Sequence, residues 1–247
     1  MTKNTLISII IPVFNEEENI RELLFNVLEV DCNYLRKIHK WNTEIIIIDD
    51  GSTDNSSYII EEISLKTPNI RIINHNGNKG KGSAISSALK RAEGQVCIIQ
   101  DADLEYNPLE IPKLLEPIIN GKYDVVFGSR FLNFQNYSGL WTHLAGNKIL
   151  SLISSLFLQQ QVTDIMTCYK AFRRDLIQNI NSKSFDVEPE IAAKLLYKRN
   201  VRFKEIPISY NPRLKGKKIK KFHGIISLYR LVLTLLKIQY KEIFKNN

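Results

Sequence analysis

The chain has 247 residues, 44% of them hydrophobic and 24% charged, with a net charge of +8. That is ample for one large domain with a full core and excludes a disordered chain; no run of 18 uncharged apolar residues exists, so no membrane-spanning helix is expected. Three well-separated cysteines (Cys32, Cys97, Cys168) make neither a disulfide framework nor a zinc site and fit a reducing compartment, and no secretory leader is expected ahead of the first strand-like segment. The positive charge gathers late, with Lys215, Lys217, Lys218, Lys220 and Lys221 almost consecutive. Such a run can meet nucleic acid, anionic lipid or a phosphorylated substrate, and composition alone favours a solvated face.

Residues 6–13 (LISIIIPV) read as a buried parallel strand. Asn15 is the expected N-cap of the helix that follows, with Glu16, Glu17 and Glu18 in a first turn where the macrodipole favours acids. Residues 44–48 (EIIII) form a second strand, followed at once by Asp49, Asp50, Gly51, Ser52, Thr53 and Asp54. Acids at the carboxyl end of a buried strand, then a small-residue turn, mark a ligand crevice in open α/β sheets. A third strand is expected over 70–74. The loop 77–82 (GNKGKG) is neither a dinucleotide fingerprint nor a phosphate-binding P-loop, and close helix packing explains its glycines as well as a ligand does. A helix over 83–92 leads to a fourth strand at 96–100.

That fourth strand runs into Asp101, Asp103 and Glu105. In an extended segment alternate side chains share a face, so the three carboxylates are expected to point one way. Their repulsion costs energy unless a cation sits among them, and hard oxygen ligands suit Mg²⁺ or Mn²⁺. A helix at 109–119 and a fifth strand at 124–127 follow, ending at Arg130, whose guanidinium suits a phosphate. This alternation of strands and helices predicts an α/β fold with a mostly parallel central sheet and helices on both faces. Beyond it come an apolar helix over 140–158, a helix opening near Glu188, a strand over 201–208, and a basic amphipathic helix over 225–244 carrying Leu228, Leu231, Val232, Leu235 and Leu236 at helical spacing. The histidines (His39, His75, His143, His223) show no metal-ligand spacing and are given no chemistry.

Eight ordered blocks resemble the family 2 glycosyltransferases, in the branch that moves a sugar onto polyprenyl (dolichyl) phosphate. They are SIIIPVFNEEENI at 8–20, EIIIIDDGSTDNS at 44–56, NKGKGSAISSALKRAEG at 78–94, QDADLEYNP at 100–108, VVFGSR at 125–130, TDIMTCYKAFRR at 163–174, FDVEPEIAAKL at 185–195, and EIPISYNPR with GKKI at 205–219. The resemblance implies a single GT-A (nucleotide-diphospho-sugar transferase) domain over 1–220, with the nucleotide-sugar in 1–130, acceptor elements in 131–220, and the amphipathic helix in 221–247. It implies nucleoside contacts from Pro12, Asn15 and Glu16, base reading by Asp50, a metal–diphosphate pair in Asp101 and Asp103, and Glu105 as a further ligand where relatives often have glutamine. Arg130 and Arg213 fall near the phosphates and Lys218 near the acceptor phosphate, although the segment around Lys218 is shorter than the family pattern. Relatives often carry C-terminal membrane helices, and none is expected here.

The expected reaction is metal-dependent, inverting transfer of a hexosyl group from GDP-mannose or UDP-glucose to a polyprenyl phosphate. Asp164 is the candidate base for a hydroxyl acceptor, or a positioning group for a phosphate acceptor. Two other readings stay open: a family 2 enzyme with a glycan or soluble hydroxyl acceptor, and a non-catalytic nucleotide-sugar or nucleic-acid binding module. The favoured reading has no nucleic-acid partner and places the protein at the cytoplasmic face of a membrane as a peripheral enzyme, with a separate membrane subunit left open.

Overall fold

The computed structural model describes residues 5–132, 141–177, 180–181, 187–197, 200–213, 232–234 and 236, with side chains of 141–146 left aside. Strands β1 (Leu6–Val13) and β2 (Asn42–Asp49) are almost continuously apolar and almost wholly buried, because helices cover both of their faces. With β3 (Ile70–Asn74), β4 (Val96–Ile99), β5 (Val125–Ser129), β6 (Lys170–Arg173) and β7 (Phe203–Pro207) they form one sheet in the order β3-β2-β1-β4-β6-β5-β7. Helices α1 (Ile20–Val30), α2 (Ser56–Ser64) and α4 (Ile111–Ile119) pack one face around Ile9, Ile45 and Ile98. Helices α3 (Lys81–Arg91), α5 (Trp141–Leu158) and α6 (Glu188–Leu196) pack the other around Ile10, Ile46 and Phe127.

The topology gathers chemistry at one edge. Register sets Val13 level with Asp49, and Asp49 level with Asn74, so the carboxyl ends of three strands lie together. Strand order reverses between β1 and β4, the switch point where open α/β sheets leave a crevice. Only β6 runs antiparallel, against both β4 and β5. Its amino end therefore lies at the edge where the parallel strands have their carboxyl ends, and it delivers the preceding loop, 163–169, to the same place. This strand is absent from the sequence reading, since four residues (KAFR) with a cation at each end carry no alternation of their own.

Two local expectations are corrected. Asn15 does not cap α1, which starts at Ile20 beside Asn19. Asn15 sits in the left-handed region (φ 52°), and its Oδ1 accepts from the Thr53 amide at 2.8 Å, tying the end of β1 to the loop after β2. Nor is 101–105 an extension of β4. It is a turn, with Leu104 at φ 59°, closed by the Gln100 side chain, whose Nε2 donates to the carbonyls of Asp101 and Tyr106. The alternation assumed for the three carboxylates does not operate there. Lys218, and the helix expected over 225–244 apart from 232–234 and 236, lie outside the described residues; those four are helical.

Candidate active site

At the end of β2 the carboxylates turn inward. Asp49 accepts from the Ser52 amide at 2.9 Å and from the Ser57 hydroxyl. Asp50 accepts from the amides of Lys79 (3.0 Å) and Gly80 (2.7 Å) and lies 2.6 Å from His75 Nδ1, whose other nitrogen reaches Ser87 at 2.9 Å. The glycine-rich loop is therefore bound to Asp50, and His75, given no chemistry above, helps to hold it. Gly51 has to be glycine: its φ is +74°, and a Cβ would fall 2.4 Å from the Gly77 Cα. Pro12 stays within β1, opposite Ile48.

The acidic turn splits into three roles. Asp101 Oδ1 and Oδ2 lie 2.6 and 2.8 Å from the ammonium of Lys81, the first residue of α3. Lys81 also reaches Glu188, the first residue of α6, at 2.9 Å, and donates to Cys168 Sγ at 3.1 Å. Burial is the largest single influence and pushes the Asp101 carboxyl up, but the Lys81 ammonium, the Cys168 thiol and Lys170 together hold it below its usual range. Asp103 has weaker relief, with Arg213 Nη2 3.4 Å away; burial, Asp101 and Glu105 push it up to about 7.

Glu105 turns elsewhere. It accepts from the Tyr210 hydroxyl and the Arg213 amide, both at 3.0 Å, and its carbonyl accepts from the Asn211 amide at 3.0 Å. Among the described residues no three acidic, histidine or cysteine side chains converge on a metal position. Glu105, expected as a further ligand, is seen here holding residues 210–213 beside the cleft it lines with Arg213. Asp101 and Asp103 do fit a divalent ion. A partly buried carboxylate crowded by two like charges, with one guanidinium at 3.4 Å, is what such an ion relieves.

Arg213 is also paired with Glu16, at 2.6 Å to each carboxylate oxygen. Asn15, Glu16, Asp103, Glu105, Asn211 and Arg213 share a cleft of about 1150 Å³. Asp50, Asp101, Arg130 and Asp164 do not line it.

Arg130 and Asp164 form a buried pair. Asp164 is fully buried and accepts from Arg130 Nε at 2.7 Å, from Nη2 at 2.8 Å and from the Arg130 amide at 3.1 Å. Glu205, on β7, accepts from the Thr163 and Asp164 amides at 2.8 and 3.0 Å and fixes the loop that carries Asp164. Lys170, also fully buried, donates to the carbonyls of Ile165 and Thr167; burial lowers its ammonium to about 8. The Arg130 guanidinium then lies over the Tyr210 ring, 5.1 Å from its centroid. Both Asp164 oxygens thus face the Arg130 guanidinium.

Sequence reasoning passed over Lys81, Glu188, Glu205 and Lys170. All four sat within the recognised blocks, but Lys81 is 107 positions from Glu188 and Asp164 is 41 from Glu205, beyond any local pattern.

Residues 8–180 match the model of glycosyl transferase family 2. Among curated proteins, the chain is 30% identical over 236 residues to a dolichol-phosphate mannosyltransferase of Pyrococcus furiosus, covering 94% of this chain and 64% of that protein. It is 31% identical over 234 residues to an undecaprenyl-phosphate 4-deoxy-4-formamido-L-arabinose transferase of Proteus mirabilis, covering 93% of this chain and 67% of that one. The chain thus spans about two thirds of the length of these relatives. Among solved structures, glucosyl-3-phosphoglycerate synthase from Mycobacterium tuberculosis, in complex with Mn²⁺, UDP and glucosyl-3-phosphoglycerate, superposes with a TM-score of 0.65 at 18% identity, over 94% of this chain and 79% of that one. That likeness is one of fold, and it agrees with the expected GT-A domain.

Proposed function

The chain belongs to glycosyl transferase family 2, and from that premise we propose that it transfers a hexosyl group, with inversion, from a nucleotide-sugar to a polyprenyl phosphate. The observation that carries the reading is the pairing of Asp101 with Asp103 at the switch point, one carboxylate neutralised by Lys81 and the other left crowded. Asp101 and Asp103 would hold Mg²⁺ or Mn²⁺, which when bound supplies positive charge to the departing diphosphate. The mycobacterial synthase of the same fold binds Mn²⁺ together with UDP, which supports that assignment. Arg213 adds a guanidinium beside Asp103, and Arg130 adds one held rigid by Asp164 and Tyr210. Pro12, Asn15, Glu16 and Asp50 would bound the nucleoside pocket, with 1–130 serving the donor and 131–220 the acceptor.

The buried state of Asp164 favours a phosphate acceptor over a sugar hydroxyl. A hydroxyl needs a base within hydrogen-bond reach, whereas a phosphate monoester is already anionic at neutral pH. Both relatives named above are called polyprenyl-phosphate sugar transferases, which points the same way. Among the described residues no helix is long and apolar enough to cross a membrane. Helix α5 exposes Ile149, Leu152, Leu156 and Phe157, a surface suited to acyl chains, so the enzyme is proposed to work as a peripheral protein on the cytoplasmic face.

The test is incubation of the protein with Mn²⁺ or Mg²⁺, polyprenyl phosphate, and radiolabelled GDP-mannose or UDP-glucose, followed by extraction into organic solvent. Label passing into the organic phase with one donor, and lost with Asp103→Ala, supports the reading. Label transferred only to water-soluble acceptors overturns the choice of acceptor. No metal-dependent transfer or sugar release with any donor overturns the enzyme reading.

A further inference from the structure

Lys81 is an expensive residue in its place. Its side chain is 10% exposed, and it opens α3, where the helix dipole disfavours a cation. Apolar side chains would join two helix starts to the sheet edge more cheaply than buried charges do. The ammonium nonetheless lies within 2.6–2.9 Å of two carboxylates that come from opposite halves of the chain, Asp101 and Glu188. Cys168 closes the group, accepting from Lys81 and lying 3.1 Å from Glu188 Oε1.

The two acids of the turn are consequently unequal. Both oxygens of Asp101 are held by one ammonium at normal hydrogen-bond distance, which fixes the rotation of its carboxylate. Among the described residues Asp103 has its nearest cation at 3.4 Å, and it accepts from the Glu105 amide. One carboxylate is set in advance, and the other is left to be completed by what binds.

We propose that Lys81 is the positioning residue for Asp101, aiming that carboxylate at the cation and diphosphate of the donor, and that Glu188 in turn positions Lys81. The pair makes the donor site dependent on the second half of the chain, since α6 supplies the counter-charge. This rests on the reading of Asp101 and Asp103 as the metal–diphosphate pair.

The experiment is calorimetric titration of UDP and of GDP into the protein with Mn²⁺, alongside Mn²⁺ binding followed by electron paramagnetic resonance. It compares the parent with Asp103→Ala, Lys81→Met, Lys81→Arg and Glu188→Gln, each checked for folding by circular dichroism. Partners that orient a metal ligand are typically worth about 10–100-fold in affinity, so folded Lys81→Met is expected to bind Mn²⁺–nucleotide at least about tenfold more weakly. Glu188→Gln is expected to weaken it in the same direction, and Lys81→Arg to restore part of the loss. If Lys81→Met merely melts earlier while its folded form binds Mn²⁺ and nucleotide as the parent does, Lys81 is a brace and the proposal is overturned. If Lys81→Met does not fold, Glu188→Gln decides: unchanged binding overturns the proposal and weakened binding supports it. A parent that binds neither nucleotide with Mn²⁺ overturns the donor-site reading itself. A parent that binds, an Asp103→Ala that does not, and a Lys81→Met that binds normally overturn this inference alone.

Discussion

Asp164→Asn separates a brace from a base, because it removes a charge while keeping the side chain's shape. In the parent, Arg130 is 15% exposed and Asp164 fully buried, joined by two side-chain bonds of 2.7 and 2.8 Å and by a backbone bond of 3.1 Å. An asparagine keeps one acceptor and turns its amide donors toward a guanidinium that is itself all donors. Removing one partner of a buried pair costs about 3–5 kcal/mol, chiefly because the other charge is stranded. The retained acceptor puts this case at the lower end, about 3 kcal/mol, and for a chain of this size that is about 6–12 °C in Tm. Urea and thermal unfolding without metal or nucleotide measure it directly. The double variant Arg130→Met with Asp164→Leu strands neither charge and is expected to be more stable than Asp164→Asn alone. Should Asp164→Asn unfold within about 0.5 kcal/mol of the parent, the range of ordinary surface changes, while losing transfer, the brace is refuted and the carboxylate acts in the chemistry.

Three other outcomes follow from the geometry. Gly51→Ala forces an L side chain to φ +74° and against the Gly77 backbone at 2.4 Å; the positive φ alone costs about 1–2 kcal/mol, and the urea midpoint is expected to fall by more than that. Arg202, outweighing burial and helped by Arg173, holds the Asp124 carboxyl down to about 2. A depressed acid contributes stability that is present above its unfolded pKa and lost as pH falls through the folded one. Asp124 should therefore contribute about 1–2 kcal/mol above pH ~4 that disappears toward pH ~2, after allowance for solvent around half-exposed Arg202, and Asp124→Asn should lose that dependence in urea titrations. On α5, Leu152→Glu with Leu156→Glu changes exposed side chains, so stability should hold within about 0.5 kcal/mol per site while flotation with anionic liposomes at low salt drops. A parent that never floats refutes the peripheral-membrane reading.

The parallel half of the fold was readable because its strands announce themselves. Runs such as LISIIIPV and EIIIID are buried on both faces, so burial writes itself into the sequence as continuous apolar residues. The acids at strand ends were readable for the converse reason: no core requirement explains carboxylates directly after such runs. What escaped was anything decided by a partner distant in sequence. Residues Lys170–Arg173 form a strand only because β4 and β5 present unpaired edges to it. Glu105 looked equal to Asp101 and Asp103 because the spacing was read as strand, and the positive φ of Leu104 that redirects it has no reliable marker in a leucine.

The residues missed and the residues misjudged share one physical arrangement. Lys81 with Glu188, Arg130 with Asp164, and Arg213 with Glu16 are each pairs between distant parts of the chain, with little of either side chain exposed. Buried pairs like these are poor value for stability compared with apolar contacts. Three of them at one sheet edge therefore point to a requirement other than stability: cationic groups held still before the ligand arrives. A site that must neutralise a diphosphate gains most when its charges need no reorganisation at the moment of reaction. On that argument the antiparallel strand β6 matters beyond its four residues, because reversing its direction brings Asp164 and Cys168 to the edge already occupied by Asp101. The acidic turn is half of a charge arrangement whose other half this reversed strand and α6 provide.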